Sequence, residues 1–219
     1  MIYSIGLTAL TIFFFSLLMV ISPLLYKRRI TQRYSIKNMF PFEFTYKSLP
    51  SENLYTYILV ALFALSAIGF FVTFDMSYTN GYLIFSMIAG ILSSLCIIAL
   101  FIIPLTNLRL HLIFAVIFFT VNFANAGSML LASWRSNQEY FSALKIVVIV
   151  ISIILIITEF VSILNPRLTL NFKAVEKVDE KGEKYYERPK WVVFAFTEWL
   201  HIFLFILNII SIAIFTFAK

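Results

Sequence analysis

Six apolar runs, each about as long as a bilayer is thick, divide this sequence of 219 residues. They cover approximately 3–26, 54–73, 82–103, 110–131, 141–164 and 191–217. A helix needs about 20 mostly apolar residues to cross a hydrocarbon core of roughly 30 Å. Only structures that satisfy their own backbone hydrogen bonds survive there. The pattern therefore predicts an all-α, polytopic membrane protein, a six-transmembrane-helix bundle forming one membrane domain over 1–219. Composition agrees, with 61% of residues hydrophobic and 13% charged, against roughly half and a quarter in soluble domains. A soluble fold this apolar could not cover its own surface. The first run has no basic leader and is too long for a signal peptide, so it reads as a span.

Charge sets the expected orientation. The net charge is +6, yet fourteen of the 17 Lys and Arg fall in the first, third and fifth loops. Loop 27–52 holds Lys27, Arg28, Arg29, Arg33, Lys37 and Lys47, the third loop holds Arg109, and loop 165–190 holds seven more. Basic residues placed between spans are topology signals, which excludes a nucleic-acid partner. They predict loops 27–52 and 165–190 in the cytoplasm of a cell-membrane protein, with both termini outside. Cys96 is the single cysteine and lies in an apolar run, so it reads as a small core residue.

Pro23, Pro104 and Pro166 lie near the cytoplasmic ends of the odd spans, where a missing N–H stops a helix at least cost. In loop 27–52, Phe40, Phe42, Phe44 and Tyr46 alternate as in an extended stretch. That reads first as an aromatic belt at headgroup depth, with an interfacial plug or substrate gate as the alternative. The neighbouring KRRITQRYSIK reads as a topology signal, with anionic lipid headgroups as its alternative partner. Loop 165–190 predicts a short cytoplasmic β-hairpin, NFKAVEKV and EKYYERP flanking a turn at Asp179–Gly182.

Ionisable groups inside a span cost about 2.5–3.5 kcal/mol at mid-helix and need a reason. Glu159, Glu198 and His201 lie well inside; Asp75, His111 and Arg135 lie near span ends. Glu159 is eight residues before Arg167 and Glu198 eight after Lys190, so both sit roughly 12 Å in from the basic loop. The two carboxylates are thus expected to face each other and share a proton or a cation, or to be protonated and bond a neighbouring helix. Glu198 and His201, three apart, share a helical face that Asn208 and Ser211 extend. Span four offers His111, Asn122 and Asn125, and span five Ser152, Glu159 and Ser162. Three polar stripes then face one interior.

No metal site is expected. A di-iron bundle requires two Glu-x-x-His motifs and further carboxylates, whereas this chain has one motif and two histidines. His111 also lies too near the edge to join His201 on one ion. Phosphate loops, nucleophile elbows and zincin motifs are missing, and no cofactor is implied. The leading functional expectation is a small permease or channel whose interior, Glu159, Glu198, His201, Asn122, Asn125 and Asn208, handles a cation or small solute. The alternatives are a non-catalytic accessory or scaffold subunit, and a lipid-active enzyme using Glu198 and His201 as acid and base. Expected partners are membrane lipids and a second membrane protein or copy of the chain.

Overall fold

The computed structural model describes residues 2–30, 33–45, 50–73, 81–168, 175–178 and 184–218. Among them are six helices long and apolar enough to span a membrane: α1 (Ile2–Ile30), α2 (Pro50–Thr73), α3 (Gly81–Ile102), α4 (Leu108–Glu139), α5 (Ala143–Ile163) and α6 (Val193–Phe217). Consecutive helices pack on one another, and α6 also touches α1 and α4. In α6, 67% of the apolar window is buried, against 28% in α1, so α6 is the inner helix. Its buried face carries Glu198, Trp199, His201, Asn208 and Ser211. The helical ends joined by 33–45, Ile103–Asn107 and 188–192 lie on one side of the bundle, called here the basic face.

Lipid supplies no hydrophobic drive between helices, so small and hydroxyl residues make the contacts. Thr11 bonds Ser66 and Ser22 bonds Thr56 across α1 and α2, each at 3.1 Å. Gly90 on α3 lets the Phe71 ring of α2 lie against the α3 backbone; a Cβ there would enter the ring.

Three expectations change. Pro23 does not end its helix: α1 runs through it to Ile30, as membrane helices allow when neighbours re-satisfy the backbone. Span four does not stop at Leu131. It continues to Glu139, and the carbonyls of Ser136 and Tyr140 accept hydrogen bonds from the buried Lys145 Nζ at 3.2 Å. A lysine satisfying helix-terminal carbonyls suits that end of the dipole. Phe40, Phe42 and Phe44 are neither extended nor an exposed belt. Pro41–Thr45 forms a 3-10 helix, and all three rings are buried in the bundle. Tyr46 lies outside the described residues, as does Asp75.

In the segment before α6, β1 (Val175–Val178) pairs antiparallel with β2 (Lys184–Glu187), Val175 opposite Glu187 and Val178 opposite Lys184. The expected turn, Asp179–Gly182, lies outside the described residues, and so does 171–174. Among the described residues every element in the membrane region is helical.

Candidate functional site

The site begins at the basic face, where the chain after α1 folds back into the bundle. The 3-10 turn Pro41–Thr45 inserts Phe40, Phe42 and Phe44 between α3, α6 and the start of α4. Phe44 packs on Tyr34, Trp199 and Phe101, with ring centroids 4.2, 5.4 and 6.1 Å away. Buried carbonyls need donors, and three side chains supply them. Tyr34 Oη donates to Phe40 O at 2.6 Å, Trp199 Nε1 to Met39 O at 3.0 Å, and Arg188 Nη1 to Asn38 O at 3.1 Å. Arg188 Nη1 also meets both oxygens of Glu43 at 2.8 Å. Glu43 Oε1 in turn accepts the Phe40 N–H at 2.9 Å. Val192 N–H on Lys37 O adds a backbone tie at 2.9 Å. Burial, then the Glu43 charge, pushes the Tyr34 phenol well above its usual value near 10, so it is held as a donor. This is an aromatic plug, clamped from α6 and the segment before it.

Directly beneath the plug sits a buried pair. His111 Nε2 lies 2.8 Å from Glu198 Oε1, and both side chains are fully buried. The rings of Phe40 and Phe42 stand edge-on to the imidazole, 6.1 and 5.6 Å away. His111 Nδ1 lies 2.6 Å from Ile103 O. A carbonyl only accepts, so Nδ1 carries a hydrogen. One proton then occupies the Nε2–Oε1 bond, as imidazolium facing carboxylate or as neutral imidazole facing carboxylic acid. Either form is net neutral, which is what makes the pair tolerable in a low-dielectric interior. Glu198 Oε2 has no partner among the described residues.

Deeper lies a second cluster drawn from three helices. Asn122 Nδ2 on α4 donates to Glu159 Oε1 at 2.7 Å and to His201 O at 3.3 Å. On α5, Ser162 Oγ donates to Glu159 O at 2.8 Å, so it must accept from His201 Nε2, 2.9 Å away. A neutral His201 therefore presents a bare Nδ1, and the Phe119 ring lies tilted against the imidazole with centroids 4.3 Å apart. His201 Nδ1, Glu159 Oε2 and Asn122 Oδ1 all lack partners among the described residues. Among the described residues Asn125 accepts from Ser86 but leaves Nδ2 unpaired, while Asn208, Ser211 and Ser152 leave every side-chain polar atom unpaired. Such groups are rare in folded interiors. Here they form a series along the α4, α5 and α6 faces.

Two clefts approach this interior. One of about 180 Å³ opens above the plug and is bounded by Phe42, Glu43, Arg188 and Pro104–Thr106; Phe42 separates it from His111. Another, of about 430 Å³, lies between α5 and α6 and reaches Ser162, with Thr158, Thr197 and Trp191 on its walls.

The structure thus places all six sequence-expected residues, Glu159, Glu198, His201, Asn122, Asn125 and Asn208, in the interior with almost no exposure. It does not pair Glu159 with Glu198: one meets Asn122, the other His111. Nor do Glu198 and His201 form a bonded acid–base pair: Glu198 meets His111 of α4, and His201 Nε2 meets Ser162 of α5. His111, which the sequence places near a span end, is fully buried. Arg135 is exposed at the opposite end. Sequence reading also passed over Tyr34, Glu43 and Arg188. A signal existed in Trp199, whose deep indole N–H demands an acceptor that an apolar span cannot offer. No protein-family model, curated protein or solved structure matches the chain.

Proposed function

We propose that the chain is a small multi-pass permease that handles protons through its α4–α5–α6 interior and is closed at the basic face by the aromatic plug. The observation that carries this reading is the pair of fully buried carboxylates, Glu159 and Glu198, each with one oxygen bonded and one unpaired among the described residues. Intramembrane ionisable groups of this kind mark ion and proton routes. A proton suits them better than a metal cation. Each carboxylate already faces a nitrogen, Asn122 Nδ2 or His111 Nε2, and among the described residues no three metal-binding side chains converge. The His111–Glu198 bond holds one transferable proton, and His201 Nδ1 and Glu159 Oε2 are a free acceptor and a titratable oxygen one layer deeper. On this reading the basic face is cytoplasmic, because most of the basic residues lie there.

The test is proton uptake into vesicles holding the purified chain, driven by a potassium diffusion potential and read with an internal pH dye. Wild type should acidify the lumen faster than protein-free vesicles, and Glu159→Gln and Glu198→Gln should fall to background while keeping wild-type helicity. Uptake equal in all three, or absent in wild type, would overturn the reading. The buried groups would then serve helix packing alone, as in a scaffold subunit.

A further inference from the structure

We infer that the chain carries a site for an anionic phospholipid, in the cleft where α1 leaves the membrane at the basic face. The cleft measures about 380 Å³ and is bounded by Val20, Pro23, Leu24, Lys27, Arg33 and Tyr34. Its chemistry changes along its length. Val20 and Leu24 are exposed apolar residues on the lipid-facing side of α1. Lys27 lies one turn further on and Arg33 follows the end of α1; both are exposed, and neither makes an ion pair among the described residues. An acyl chain fits the first part and a phosphate the second. Among the described residues no acidic side chain bounds the cleft, so the charges they place at its rim are of one sign. Its position, at the last turns of a membrane helix, is the depth at which headgroups lie.

Pro23 contributes to the shape. Proline leaves a backbone carbonyl of the preceding turn without its helical donor, and its ring occupies the wall that a longer side chain would fill. Tyr34 forms the inner end. Its ring touches Phe44 and Tyr26, and its hydroxyl holds the plug carbonyl Phe40 O. A lipid seated here therefore lies against the residue that clamps the plug. The site itself stands whether or not the interior carries protons, because none of its residues belongs to the interior.

The experiment titrates the detergent-solubilised full chain with short-chain phosphatidylglycerol or phosphatidylcholine and follows Tm, since a ligand that binds only the fold raises it. Phosphatidylglycerol should raise Tm where phosphatidylcholine does not. Each basic residue near the headgroup is worth roughly five-fold in affinity, so K27Q/R33Q should weaken the apparent Kd about 30-fold. The charge-keeping K27R/R33K should retain the response, and so should Arg135→Gln at the far end. Inorganic phosphate alone should do nothing. Equal responses to both lipids, a wild-type response in K27Q/R33Q, an effect of phosphate alone, or an equal loss in Arg135→Gln would each overturn the site.

Discussion

Removing the Arg188 guanidinium should loosen the plug by an amount the geometry lets one bound. Arg188→Met keeps the aliphatic stem but takes away the Nη1 that meets both Glu43 oxygens and Asn38 O. Breaking a fully buried ion pair costs about 3–5 kcal/mol, because the surviving charge is stranded. The Arg188 side chain is 31% exposed while that of Glu43 is 9% exposed, so solvent screens one partner and the cost falls to about 1.5–3 kcal/mol. Glu43→Gln is milder. Its amide oxygen still accepts the Phe40 N–H, and only the charge on Arg188 loses its counterpart, about 1–2 kcal/mol. In E43Q/R188M no charge is stranded, so the double variant should cost less than the two single changes together, by roughly 1–2 kcal/mol. Thermal and denaturant unfolding in one detergent, run on all four proteins, measures that coupling. Costs that add to within about 0.5 kcal/mol would show that the pair does not act as a unit, and the clamp would be wrong.

Four further outcomes follow from the packing and the buried groups. His111→Ala strips Glu198 and Ile103 O of their partner and should cost about 2–4 kcal/mol. Glu198→Gln, whose amide N–H can donate to His111 Nε2, should cost about 1 kcal/mol or less by the same unfolding assay. Gly90→Ala drives a methyl into the buried Phe71 ring and should cost about 1–3 kcal/mol, part of which Phe71→Leu recovers in the double variant. The Tyr34 phenol stays protonated in the fold at pH values where it ionises in the unfolded chain. The unfolded state then binds fewer protons, so stability falls as pH rises above about 10, by up to about 1.4 kcal/mol per pH unit. Tyr34→Phe should lack that part of the alkaline slope in paired melting curves.

The bundle was legible because hydropathy over twenty residues is a local property, and so were its polar stripes, since Glu159, Glu198 and His201 have no comfortable place facing lipid. Which group meets which was not legible. Asn122 and His111 are eleven residues apart on α4, yet they meet residues only three apart on α6. Depth counted along the chain therefore does not tell which residues of two neighbouring helices meet, because side chains of different length reach a neighbour's side chain or its backbone carbonyl. The plug escaped for another reason. Alternation of Phe40, Phe42 and Phe44 fits an extended chain, but Pro41 with Glu43 bonded to the Phe40 N–H closes a 3-10 turn instead. The partners that stabilise it, Trp199 and Arg188, stand about 150 residues further along the chain.

On the proposed route, protons pass Glu198 once Phe42 is out of the way. Phe42 is the ring between the outer cleft and His111. Potential-driven proton uptake into vesicles should therefore rise above wild type in Phe42→Ala and return to background in F42A/E198Q. A Phe42→Ala leak that survives the loss of Glu198, or no rise at all, would contradict it.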